Sequence, residues 1–176
     1  MIALAATPTL TTARLTLRAP VASDWPHFLA FALSDRSSFV RAPDIDEGKA
    51  WRGFGHVVGM WVLRGYGQFV FHLTGEDRPL GMCGPWHPVD WPEAEIGWSV
   101  WDEGCEGQGI AQEAARAARD HALGTLGWPT AVSYIDPENH RSIRLAERLG
   151  ARPDHAAAHP FADEPCLVYR HPEGAP

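Results

Sequence analysis

Cysteine is scarce in this chain: Cys83, Cys105 and Cys166 are the only three in 176 residues, an odd number with no paired metal-ligand spacing. That excludes a disulfide framework and offers no zinc site, so the three read as free thiols. Excess positive charge is missing too, because 15 Lys and Arg face 22 Asp and Glu, for a net charge of −7. Such a balance argues against nucleic acid as the main partner and suits an amine better. No apolar run reaches membrane-spanning length, and Met1–Ala6 lack the basic start and apolar stretch of a secretory leader. A cytoplasmic protein without a membrane partner is expected. The nine histidines are scattered, and the one helical spacing, His155 and His159, is bracketed by Pro153 and Pro160, so no metal is expected. Internal repeats and low-complexity tracts are absent.

What remains is a chain long enough for one well-buried core and too short for two ordinary domains. One domain over residues 1–176 is expected, its core about 13–171. Arg14–Arg18, RLTLR, alternates polar with apolar and reads as a half-buried strand. Ser23 has the character of an N-cap for a first helix, Asp24–Leu33. Asp46 begins a longer helix to about Leu63 whose four glycines permit a break, and Gly65 closes it. Tyr66–Leu73 and Pro79–Trp86 form a hairpin-like pair of strands. Glu93–Trp101 is a third strand, placing Ile96, Trp98 and Val100 on one face and Glu95, Gly97 and Ser99 on the other. Thr130–Ile135 and Cys166–Arg170 are later strands. Asn139 is the expected N-cap of a helix ending at Leu149, with Gly150 just past its end. Residues up to about Thr12 and from His171 onward have the composition of loose tails.

The most informative stretch follows the third strand. Gly104–Ala111, GCEGQGIA, leads into the alanine-rich helix AQEAARAARDHAL, in which Arg116 and Arg119 are expected to face water. Glycines on either side of Gln108 let the chain bend and bring its amides close to a ligand. Those amides open a helix, where unpaired N–H groups and the dipole favour an anion. A pyrophosphate cradle is the reading.

The order of elements, with TARLTLRAP at the start, EGQGIAQEA in the turn and PENHRSIRLAERLGA in the later helix, resembles the GNAT superfamily of acetyl-CoA-dependent N-acetyltransferases. The branch it is most similar to comprises the ribosomal-protein alanine N-acetyltransferases. The resemblance implies an α/β (α+β) fold with a central mixed, mostly antiparallel twisted sheet and helices on both faces. It implies acetyl-CoA as acyl donor, no metal, and direct transfer to a small-molecule or peptide amine in a ternary complex. Coenzyme A would be held by Gly104, Cys105, Glu106, Gly107, Gln108, Gly109, Ile110, Ala111 and Arg144, with Ile96 and Trp98 along the pantetheine arm and Asn139 and Ser142 near its reactive end. The sequence departs from the family where Gly104 replaces a glutamine or arginine, where Glu106 replaces a residue that is often basic, and where Ala146 replaces a proton-donating tyrosine. Arg141 or Arg144 could offset the Glu106 charge.

Acetyl transfer needs a base for the amine, a polarised carbonyl and a proton for the thiolate. Glu95 is the candidate base, against the ordinary solvated strand glutamate, and Ser142 the candidate proton donor, against a serine that supports the helix start. Cys105 has no partner histidine and is no candidate nucleophile. Trp86 and Trp91 flank a proline-containing loop, where packing outweighs an acceptor-lining role. Two rivals remain: a non-catalytic coenzyme A-binding protein on the same fold, and a nucleotide-dependent oxidoreductase, for which Gln112 stands where a third glycine belongs. The acceptor's identity is not readable, and a homodimer is left open.

Overall fold

A computed structural model describes residues 6–40, 42–161 and 164–172. Residues 1–5 and 173–176, within the segments expected as loose tails, lie outside the described residues. In chain order the elements are β1 (Leu10–Thr11), β2 (Leu15–Arg18), α1 (Trp25–Ala32), α2 (Glu47–Arg64), β3 (Phe69–Leu73), β4 (Gly81–Trp86) and β5 (Glu95–Val100). There follow α3 (Ile110–Asp120), β6 (Val132–Ile135), α4 (His140–Arg148), β7 (Arg152–Pro153) and β8 (Leu167–Arg170). The described strands form one mixed sheet in the order β1-β2-β3-β4-β5-β6-β8-β7, and β5–β6 is its single parallel pair. This is the expected mixed, mostly antiparallel sheet.

The alternation of side chains along each strand assigns the two faces. Leu15, Leu17, Phe69, Phe71 and Cys83 turn to the side covered by α3, whose Ala114 and Ala118 have no exposed surface. Alanine matters there because its small side chain lets the helix backbone lie close to the strands. Val70 and Met82 turn to the opposite side, where Phe31 of α1, Val57 of α2 and Trp101 complete a second layer. Helix α4 lies beside α3, Leu145 and Leu149 meeting Ala115. Its Ala146 also packs on Ile135 and Tyr169 of the sheet.

Several local expectations are corrected. Helix α1 starts at Trp25, after a turn of 3-10 helix over Ala22–Asp24, and Ser23 does not cap it. Asp24 does the local work, accepting from the Val21 amide at 2.8 Å and pairing with Arg18 while only 1% exposed. The four glycines of α2 do not break it, because Asp46 caps its start by accepting from the Lys49 amide and Gly65 ends it at φ 75°. Leu10–Thr11 is a paired strand, not a loose tail, and His171 is 2% exposed. Arg119 does not face water: it donates to the Leu149 carbonyl at 2.6 Å and so ties the end of α3 to the end of α4.

Candidate active site

The site begins where β5 and β6 stop pairing. Their register contains one partner pair, Glu95 with Val132. A continued parallel ladder would next join the Tyr134 N–H to the Ile96 carbonyl. Instead the Ser133 hydroxyl donates to Ile96 O at 2.6 Å. The Tyr134 amide turns to the Glu95 carboxyl. A side chain from each strand thus stands where the next rung would be, and the strands separate. Behind Ser133 stands His171, whose Nε2 lies 2.9 Å from Ser133 Oγ. Since the hydroxyl's hydrogen goes to Ile96 O, the ring must donate through Nε2, which leaves Nδ1 unprotonated and without a partner. Burial, with help from nearby Arg119, pushes the His171 pKa down to about 4.

Beyond the separation β5 offers a bare edge. Trp101 donates its amide to Leu80 O, and β4–β5 pairs alternate, so Glu95, Gly97 and Ser99 spend their backbone groups on β4. Trp98 and Val100 therefore turn theirs toward the gap, where Arg36 takes the Val100 carbonyl at 3.2 Å.

The glycine turn supplies a second set of donors. Gly107 and Gly109 sit at φ 72° and 74°, a region that side chains with a Cβ enter at a cost. The Gly104 amide is spent on Asp102 Oδ1, and those of Cys105 and Glu106 on Asp102 O and Glu103 O. The next such bond is Glu113 N–H to Gly109 O. Among the described residues none of the amides from Gly107 to Gln112 has an acceptor, so the donor set begins three residues later than the sequence suggests. Two turn carbonyls are tied back, Gly104 O by Gln108 Nε2 and Gln108 O by Arg14, which is itself anchored to Glu113.

These donors open on a cleft of about 940 Å³. One wall is the segment after α1, including Arg36 and Phe39; the other is α4 with Asn139, Ser142 and Arg144. The floor is the turn from Cys105 to Ala111 with Trp98, whose indole N–H donates to Ser142 Oγ at 3.1 Å. Ser142 keeps its own hydroxyl hydrogen, while Asn139 Oδ1 caps α4 by accepting from the Ser142 amide. Ile96 is fully buried, so its side chain cannot line the cleft. Gly104 and Gln108 are also absent from its wall. The Cys105 thiol donates to Asp102 O, and burial, ahead of the Asp102 charge, raises its pKa.

Glu95 stands apart from the cleft. Its carboxyl accepts from the Trp91 indole at 2.6 Å, and Trp91 in turn stands edge-on to Phe161. Burial raises the Glu95 pKa to about 7, against the pull of the Trp91 and Tyr134 hydrogen bonds. The neighbouring carboxylates differ: Glu93 and Asp154 are both paired with Arg170. Among the described residues Glu95 has no cationic partner.

Residues 14–152 match the family model described as "Acetyltransferase (GNAT) domain". The chain belongs to the GNAT acetyltransferase family. A solved acetyltransferase from Agrobacterium tumefaciens str. C58 is 39% identical, with a TM-score of 0.88 over 98% of this chain and 99% of that one. Bacillus subtilis (strain 168) YkkB, described as uncharacterized, is 35% identical over 98 residues, 54% of this chain, so the match spans about half of that relative (52%). A ribosomal L7/L12 α-N-protein acetyltransferase, solved in complex with coenzyme A, shares the fold at 18% identity, with a TM-score of 0.72 over 94% of this chain and 98% of that one.

In this GNAT domain the structure gathers Trp98, Cys105, Glu106, Gly107, Gly109, Ile110, Ala111, Asn139, Ser142 and Arg144 around one cleft, with Glu95 at the start of the strand that carries Trp98. Sequence reasoning missed Ser133, His171, Arg36 and the Trp91–Glu95 bond. Three of these lie far in sequence from their partners; Trp91 is four residues from Glu95 and carried the one readable signal, an indole N–H close in sequence to a strand carboxylate.

Proposed function

We propose that the chain transfers an acetyl group from acetyl-CoA to a primary amine by direct attack, with the amine approaching from the Glu95 side of the β5–β6 gap. The observation that carries this reading is the gap itself, which opens between a donor-rich cleft on one side and an unpaired carboxylate with a pKa near 7 on the other. The fit to the donor rests on the unspent amides from Gly107 to Gln112 at the start of α3, a suitable seat for a diphosphate. The bare Trp98 edge offers backbone donors and acceptors to an amide-containing arm. Acetyl-CoA would supply the electrophile, a thioester carbonyl carbon.

The remaining steps belong to protein groups. The Trp98 N–H can polarise the carbonyl oxygen, since the split ladder leaves it unpaired. Glu95, poised near neutral pH, takes the proton from the attacking amine, directly or through a water. Ser142 is fixed by the Trp98 indole and keeps a hydrogen that it donates to the departing thiolate, regaining one from solvent. A carboxylate without a cation suits an amine as the incoming group, a peptide N-terminus or a small molecule. The solved coenzyme A complex of the ribosomal-protein acetyltransferase supports the choice of donor.

The test is Tm measured with acetyl-CoA, coenzyme A and NADH, followed by thiol release over a panel of amines. A rise in Tm with both coenzyme A species and amine-dependent release is expected. Binding without release from any amine would leave a coenzyme A-binding protein and remove the catalytic reading.

A further inference from the structure

Glu106 puts a carboxylate beside the unspent amides of the turn, where a ligand's phosphates would meet like charge. It is not alone there. Arg36, from the wall after α1, reaches Glu106 Oε1 at 2.5 Å, and Arg141, from the first turn of α4, reaches the same oxygen at 3.0 Å. Two guanidinium groups from opposite walls of the cleft therefore converge on one carboxylate oxygen, and the trio keeps a single net positive charge. Arg36 is held in position by the Val100 carbonyl at 3.2 Å, and its Nε is buried with no acceptor. The side chains of Arg36 and Glu106 are 24% and 32% exposed, so the pair lies within the cleft and not on open surface.

An ion pair kept only for stability has little to recommend it in this place. Partly solvated pairs contribute little, and this one gathers two cations beside a row of free N–H donors. We propose that Glu106 is a resident anion that keeps Arg36 and Arg141 aimed into the cleft, and that the two arginines pass from Glu106 to the phosphates of the arriving coenzyme. The proposal rests on the acetyl-CoA reading above. It makes Arg36, remote in sequence from the glycine turn, a ligand-binding residue, and it makes Glu106 a competing anion that the coenzyme's phosphates displace. Arginine suits the exchange because its planar fork bonds carboxylate and phosphate oxygens alike.

Titration calorimetry with coenzyme A and with phosphate-free pantetheine tests it, on the wild-type chain and on Glu106→Gln, Arg36→Ala and Arg36→Lys. Glu106→Gln should bind coenzyme A about threefold more tightly, because the arginines no longer have a rival anion to leave. Arg36→Ala should weaken coenzyme A by about tenfold, with Arg36→Lys in between. Pantetheine affinity should be the same in all four proteins. Weaker coenzyme A binding by Glu106→Gln would mean that Glu106 serves to order the turn, and would overturn the proposal. Equal loss of pantetheine and coenzyme A in Arg36→Ala would do the same, since Arg36 would then shape the cleft without meeting phosphate. Failure of the wild type to bind coenzyme A would overturn both this proposal and the reading beneath it, whereas wild-type binding with unchanged variants would overturn this one alone.

Discussion

The two edges of β5 are made by the same six residues and meet opposite fates. Toward β4 every residue from Glu95 to Val100 has a partner in register; toward β6 only Glu95 does. The backbone of β5 does not decide this, since backbone groups alternate along any strand. The difference comes from the neighbour and from two side chains, Ser133 and Glu95, that take the bonds the missing rung would have made. A sheet can therefore be opened at a chosen point if its freed donor and acceptor are both satisfied locally. Here the opening coincides with the candidate active site, and Glu95 has a share in both.

The bare edge of β5 loses its function most completely when the ligand's seat at the turn is blocked. Gly109→Trp forces a residue with a Cβ into φ 74° and places an indole over the free amides. Coenzyme A should then no longer raise Tm, and the unliganded chain should lose about 1–2 kcal/mol from backbone strain. Retained binding would show that the bare edge suffices without the turn.

Glu95→Gln separates the two roles of that residue. The wild-type rate should climb as pH rises through about 7, where the carboxyl loses its proton, and this step should vanish in the variant with a loss of about 100-fold on the plateau. Stability should move the other way. A carboxyl whose folded pKa lies above its ordinary value near 4.5 withdraws stability as pH rises from there through about 7. The amide variant should accordingly be more stable at pH 8, by about 1–3 kcal/mol. An unchanged pH profile would remove Glu95 from the chemistry.

Ser133→Ala tests the other side of the broken rung. It leaves the Ile96 carbonyl unpaired, and kcat/KM for acetyl-CoA should fall about tenfold while Ser133→Thr recovers most of it. Equal loss in both variants would point to packing. The smallest effect is expected from Ser142→Ala, about fivefold in kcat, because a thiol of pKa near 8.5 departs with little help.

What the sequence made legible follows this same division. The turn and α3 were readable because glycine, alanine and an acidic helix start report backbone geometry locally, and Asn139 announced the start of α4 for the same reason. The positions of most strands along the chain followed from alternation. The cause of the separation of β5 from β6 was not legible, because Ser133 and His171 are ordinary residues whose meaning lies in a contact across 38 positions. Arg36 and Glu106 are 70 positions apart, so the turn's charge could not be settled locally. Gly104 misled because a glycine in the motif does not show that its amide is free: Asp102 takes it. Arg119 misled through its charge, which the end of α4 uses.

His171 has a further consequence for how the molecule is made. Its amide bonds Ala131 O and its ring braces Ser133, so the gap beside β6 is not secured until the last strand has been delivered. On a ribosome adding about 5–20 residues per second, those 38 residues amount to roughly two to eight seconds during which β6 has emerged without its brace. The nascent chain thus acquires its glycine turn early and its open sheet last, and until then β6 presents an unpaired edge to whatever is near the exit tunnel.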